Sequence, residues 1–213
     1  MSIPVHRFST LAAHADAAAN AVAAAVAAAI AAKGAVVLAV AGGSTARHVL
    51  PRLAQRTLAW EHVVITLTDE RWVPPQHSDS NETLVRKSFV PASAPVIGLY
   101  TAGLQPQSAI RNLQSRIRDP DVVLLGMGED GHIASLFPGD PANEATGRFA
   151  VVRRPDHVRV TLTPAAMAEA RIVLAFTGAA KAEIFDRALA DGPPATLPVR
   201  HVLRPGTEVF IGP

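Results

Sequence analysis

Ala35-Val-Val-Leu-Ala-Val40, followed at once by Ala41-Gly42-Gly43-Ser44-Thr45-Ala46-Arg47, decides the architecture. Six consecutive apolar residues leave no polar face, as expected of a strand covered on both sides of a sheet. The glycine pair ends the run. Ser44 belongs to the residue types that cap helices, so a helix reaching about Arg56 is predicted. Strand, tight turn and helix in direct succession form the repeating unit of a parallel α/β sheet.

The same alternation extends in both directions. Upstream, Ser9 or Thr10 is placed to cap a long alanine-rich helix that runs to Lys33, with Gly34 as its left-handed terminator. Downstream, strands are predicted over residues 62–68, 121–125, 158–162, 171–176 and 208–211. Helices are predicted over 80–89, 106–118, from Pro164, and over 179–190. The pattern implies an α/β, Rossmann-like, mainly parallel sheet with right-handed crossovers and helices on both faces. Neither an internal repeat nor a linker interrupts residues 1–213, so one domain is expected.

Of the 213 residues, 49% are hydrophobic and 18% charged, which predicts a folded globular chain. A formal charge of +2 with no Lys/Arg-dense stripe argues against a nucleic-acid partner. Scattered arginines suit local recognition of a small anion. The absence of cysteine excludes disulfides, thiolate metal sites and a cysteine nucleophile, and fits a cytoplasmic location. The eight histidines show no i, i+4 pairing and no H-E-x-x-H, so neither a metal nor a cofactor is expected. No secretory signal pattern is visible. Residues 17–32 are interrupted by Asn20, stop at Lys33 and fall short of the ~20 apolar residues a bilayer requires, which predicts a soluble helix and no membrane partner.

Ligands of open α/β sheets bind beyond the carboxyl ends of the strands, and three loops fall there. In the first, Gly42 and Gly43 let the backbone approach an anion. The helix start supplies unpaired N–H groups, and Ser44, Thr45 and Arg47 would complete a phosphate cradle. A plain glycine turn with a serine cap has the same sequence. The stretch also nearly matches the G-x-S-x-G nucleophile elbow, with Ala46 in the last glycine position, which keeps a serine hydrolase open. It lacks the GxxxxGK[ST] spacing of a nucleotide triphosphatase.

The second loop is Asp69-Glu70-Arg71-Trp72-Val73-Pro74-Pro75, continuing to Ser80-Asn81. Its arginine can clamp a carbonyl or phosphate, with a neighbouring carboxylate to hold it or to orient water. The third is Gly126-Met127-Gly128-Glu129-Asp130-Gly131-His132, then Ile133-Ala134-Ser135-Leu136-Phe137-Pro138-Gly139. It contains G-x-G-x-x-G, but Pro138, Gly139 and Pro141 break the helix that a dinucleotide site needs. What remains is a glycine-rich turn with an Asp two residues before a His, suited to oxyanion stabilisation and proton transfer.

Taken in order, these three loops resemble the 6-phosphogluconolactonase family, with its GGST, DERxVP…SN and GMGxDGHxASLFPG segments. Val160-Thr161-Leu162-Thr163 and Thr177-Gly178-Ala179-Ala180-Lys181 resemble family segments too, and the likeness spans roughly residues 35–200. Ala46 departs from the family's usual proline. The resemblance implies a Rossmann-like sheet with a small added lobe. It also implies hydrolysis of 6-phosphogluconolactone in the oxidative pentose phosphate pathway, on a small-molecule sugar phosphate, by a monomer or small homo-oligomer.

The implied roles are His132 as general base and then acid, Asp130 or Asp69 to orient imidazole or water, and Arg71 with the Gly128-region amides to stabilise charge. The phosphate would rest on Gly43, Ser44 and Thr45 beside Gly42, helped by Arg47 and Lys181. Two other readings share the fold. A glucosamine-6-phosphate deaminase usually carries a glutamate five residues beyond the histidine, where Phe137 stands here. A sugar-phosphate sensor needs an attached DNA-binding segment, which residues 1–33 do not resemble.

Overall fold

The computed structural model describes residues 3–213. Its main sheet has seven strands. These are β1 (Val5–Arg7), β2 (Val36–Val40), β3 (Val63–Leu67), β5 (Val96–Ile97), β6 (Val122–Leu125), β9 (Arg171–Thr177) and β10 (Thr207–Gly212). They lie in the order β1-β10-β9-β6-β2-β3-β5, and every pairing is parallel. All five residues of β2 and all four of β6 are buried, as an apolar run without alternation requires. From β2 the chain moves out through β3 to β5, then returns to β6 on the opposite side of β2. The strand order therefore reverses between β2 and β6, the position where open α/β sheets leave a crevice.

Six α-helices pack around the sheets: α1 (Leu11–Lys33), α2 (Gly43–Ala54), α3 (Asn81–Phe89), α4 (Pro106–Arg116), α5 (Pro164–Met167) and α6 (Ala179–Ala188). Helix α1 is long and apolar enough by composition to cross a bilayer. Here Ala15, Ala18, Ala19, Val22 and Val26 are fully buried in the core instead. Thr10 accepts a hydrogen bond from Ala13 N (3.2 Å) at its start, and Gly34 at φ 77° ends it, so both predicted terminators hold.

Three departures from the predicted elements bear on function. Residues Asp69–Arg71, expected in a loop, form strand β4, which pairs antiparallel with β8 (Val158–Leu162). With β7 (Phe149–Arg153) these make a separate three-stranded antiparallel sheet, the small lobe, so β8 is not part of the parallel sheet. Ser44 does not cap α2. The helix begins at Gly43 with Gly42 as its N-cap, and no side chain bonds the cap N–H groups.

Candidate active site

The crevice at the β2/β6 reversal is a cleft of about 190 Å³, and each of the three sequence-predicted loops reaches it. Gly42, Gly43, Ser44 and Thr45 line it from the β2–α2 turn, Asp69 and Arg71 from β4, Gly128 and His132 from the turn after β6, and Lys181 from α6. Arg47 is not in the lining and is exposed to solvent. With the helix beginning at Gly43, Arg47 stands one turn in, on the outer face. The cleft also takes in Asn81 and Arg159, and Arg159 was not anticipated. The available signal was an arginine between Val158 and Val160 in an otherwise apolar strand.

The first turn of α2 presents its N–H groups with no side-chain cap, and the same holds for α6, whose N-cap is Gly178. Uncapped helix starts carry partial positive charge and unused donors, the features that hold phosphate. Gly42 has a packing reason as well: a Cβ there would stand 2.0 Å from Asn81 Oδ1.

The second motif is built around a carboxylate. Glu70 is completely buried and accepts from Arg71 N (2.8 Å), Asn81 N (2.8 Å), Glu82 N (2.7 Å) and Ser80 Oγ (3.0 Å). It therefore caps α3 from the neighbouring strand. Burial pushes its carboxyl up, against the pull of those four donors. Asn81 in turn donates to Asp69 O (3.1 Å) and accepts from Arg71 Nη1 (3.3 Å), while Arg71 Nη1 also donates to Asp79 O (2.9 Å). Asp69 is held by Ser135 Oγ (2.6 Å) and Thr68 Oγ1 (3.2 Å), which ties the second motif to the third. Asp69 makes no hydrogen bond to His132, so the carboxylate that holds the imidazole is Asp130.

The third turn places His132 Nδ1 2.5 Å from Asp130 Oδ1, and the same oxygen accepts from His132 N (3.1 Å). Burial alone would raise the Asp130 carboxyl, but the His132 backbone donor and the imidazole together hold it below the usual carboxylate range. Gly128 N–H donates to His132 O (2.9 Å) within the turn and so is not a free oxyanion donor. The role of Gly128 is spatial, since a Cβ would stand 2.1 Å from His132 Cε1. Ala134, also in the lining, adopts φ 49°, a conformation that costs a residue with a Cβ about 1 kcal/mol. Beneath the imidazole lies the Phe137 ring, with centroids 4.6 Å apart.

The cleft is cationic. Arg159 pairs with Asp156, whereas among the described residues Arg71 and Lys181 make no ion pair. The Nε atoms of Arg71 and Arg159 are buried without a protein partner. A histidine–carboxylate pair thus faces uncapped helix starts and available guanidinium donors across one small volume.

Residues 9–211 match the family model for glucosamine-6-phosphate isomerases/6-phosphogluconolactonase. The chain belongs to this family. Among curated relatives, a 6-phosphogluconolactonase of Rhizobium meliloti (strain 1021) is 37% identical, covering 96% of this chain and 95% of its own. One from Caulobacter vibrioides is 39% identical, covering 89% and 87%. The crystal structure of a 6-phosphogluconolactonase from Shewanella baltica OS155 superposes with a TM-score of 0.91 at 31% identity, covering 100% of this chain and 98% of that one.

Proposed function

We propose that the protein hydrolyses 6-phospho-D-glucono-1,5-lactone to 6-phospho-D-gluconate, the lactonase step of the oxidative pentose phosphate pathway, in the cytoplasm. The observation that carries this reading is the Asp130-held imidazole of His132 opening on the same cleft as the uncapped Gly42–Gly43–Ser44–Thr45 turn. The names of relatives at 37% and 39% identity point the same way.

A lactone is an ester strained toward ring opening, so the enzyme must position a water, take its proton and stabilise the oxyanion. With the Nδ1 proton directed at Asp130, His132 Nε2 is free to accept a proton from water. The water oxygen bonds to C1, and the carbonyl electron pair moves onto its oxygen, where Arg71 supplies positive charge. The intermediate collapses by re-forming the C1 carbonyl and breaking the bond from C1 to the ring oxygen. The imidazolium returns its proton to that oxygen, and the carboxylic acid product ionises. The phosphate rests on Gly43, Ser44 and Thr45 at the α2 start, with Lys181 and Arg159 as counter-charges. Arg47, turned to solvent, takes no part.

The test supplies the lactone and, separately, glucosamine-6-phosphate, and follows acid production and ammonia release. Acid release above the spontaneous rate without ammonia is the expected result. Ammonia release without acid would replace the lactonase reading with a deaminase.

A further inference from the structure

Arg154 opens the tight turn between β7 and β8, where its N–H donates to His157 O (3.1 Å). The side chain is exposed, yet it is not loose: its guanidinium carbon stands 4.2 Å from the centroid of the Phe137 ring. That ring also packs against the His132 imidazole and carries the Arg159 guanidinium at 5.5 Å. The acidic residue of the same turn, Asp156, is engaged by Arg159 and faces His157, and among the described residues no carboxylate pairs with Arg154. A full positive charge is thus stored on a buried aromatic platform that the catalytic imidazole shares, beside a cleft already carrying Arg71, Arg159 and Lys181.

We propose that Arg154 is a substrate-recruiting residue, a cation at the cleft mouth that raises capture of the phosphate dianion without taking part in the chemistry. The inference rests on the sugar-phosphate reading of the cleft. An aromatic face holds a guanidinium in place without neutralising it, unlike a carboxylate, so its field remains available to an incoming anion. At a separation of about 10 Å in a water-like medium, one charge acting on a dianion alters capture roughly three- to fivefold at low salt, and less as salt shortens the Debye length.

The neighbouring Arg153 provides the control, since it is exposed, ends β7 and carries the same charge, but among the described residues makes no cation–π contact. Steady-state kinetics of Arg154→Gln should show kcat/KM reduced roughly three- to fivefold at low salt with kcat unchanged, the deficit shrinking at high salt. Arg154→Lys, which keeps the charge, should stay within about twofold of wild type, and so should Arg153→Gln. Inhibition by inorganic phosphate should weaken in Arg154→Gln more than inhibition by gluconate, which has no phosphate. Equal losses in Arg153→Gln and Arg154→Gln would overturn the proposal. So would a loss that persists at high salt or in Arg154→Lys. If the wild-type protein fails to hydrolyse the lactone, the functional reading fails instead, and calorimetric titration of inorganic phosphate into the same variants still decides the role of Arg154.

Discussion

At the N-terminal edge of the main sheet, Asp121 stands just before β6 with its side chain buried. Lys33 Nζ (2.6 Å), Arg118 Nη2 (2.5 Å) and Val37 N (2.8 Å) all converge on it. At the C-terminal edge, Arg71 and Lys181 line an open cleft and, among the described residues, make no ion pair, while the Nε atoms of Arg71 and Arg159 lack partners. One end completes its electrostatics within the protein and the other leaves donors for something that is not protein. The contrast separates charges that hold a fold from charges that hold a ligand. It predicts that substitutions at one end alter stability and those at the other alter kinetics.

The largest effect falls at the ligand end. His132→Ala should lower kcat by roughly 100- to 10,000-fold, with melting temperature little changed, in an assay of lactone hydrolysis. Near-normal turnover would remove the imidazole from the chemistry. Next, Gly128→Ala should lower kcat about 100-fold, because the added methyl collides with the His132 ring and displaces it, and displacements of ~1 Å cost about that much. A crystal structure of this variant with the imidazole unmoved, or an unchanged kcat, would show that Gly128 is there only for its backbone.

The opposite end should behave the opposite way. Asp121→Ala leaves the half-exposed cations to water but orphans the buried Val37 N–H, for a loss of about 2–3 kcal/mol. In a chain of this size that is ~5–10 °C in Tm, with kcat/KM of the folded enzyme unchanged. Burial pushes the Asp121 carboxyl up, but its three donors more than compensate and hold it below the usual range. A depressed acid stabilises fully above its unfolded value of about 4 and loses that contribution as pH falls through the folded value. Denaturant titrations of wild type and Asp121→Ala should therefore converge as pH drops below about 4, and a constant gap would refute the assignment. A smaller effect is expected in Lys181→Met, a roughly tenfold rise in KM for the lactone with kcat nearly unchanged. A drop in kcat at constant KM would place Lys181 at the reacting carbon and not at the phosphate.

The same contrast explains what could be read beforehand. Continuous burial made β2, β6 and β9 legible, because a strand covered on both faces has no polar position to confuse it. The cap at Thr10 and the stop at Gly34 were legible for local reasons. Strand β4 was not, since Asp69-Glu70-Arg71 carries no apolar alternation and becomes a strand only through pairing with β8. Edge strands β1 and β5, of three and two residues, are too short to carry a pattern. Predicted residues on sharply marked turns line the cleft, whereas Arg159, which also lines it, gives no local sign in the sequence because a strand residue does not reveal the cleft it faces. Arg47 falls outside the cleft lining for a related reason: α2 has Gly42 and not Ser44 as its N-cap, and a two-residue shift in where the helix begins turns every later side chain by about 200°.

Gly42 and Asn81 meet so closely that neither position can be redesigned by itself. Enlarging residue 42 would push on a side chain that also steadies Arg71 and the β4 backbone, so a change meant for the β2–α2 turn would be felt at Arg71 on the other side of the cleft. Libraries aimed at accepting bulkier or non-phosphorylated lactones should vary the two positions jointly, pairing any gain in volume at 42 with a reduction at 81.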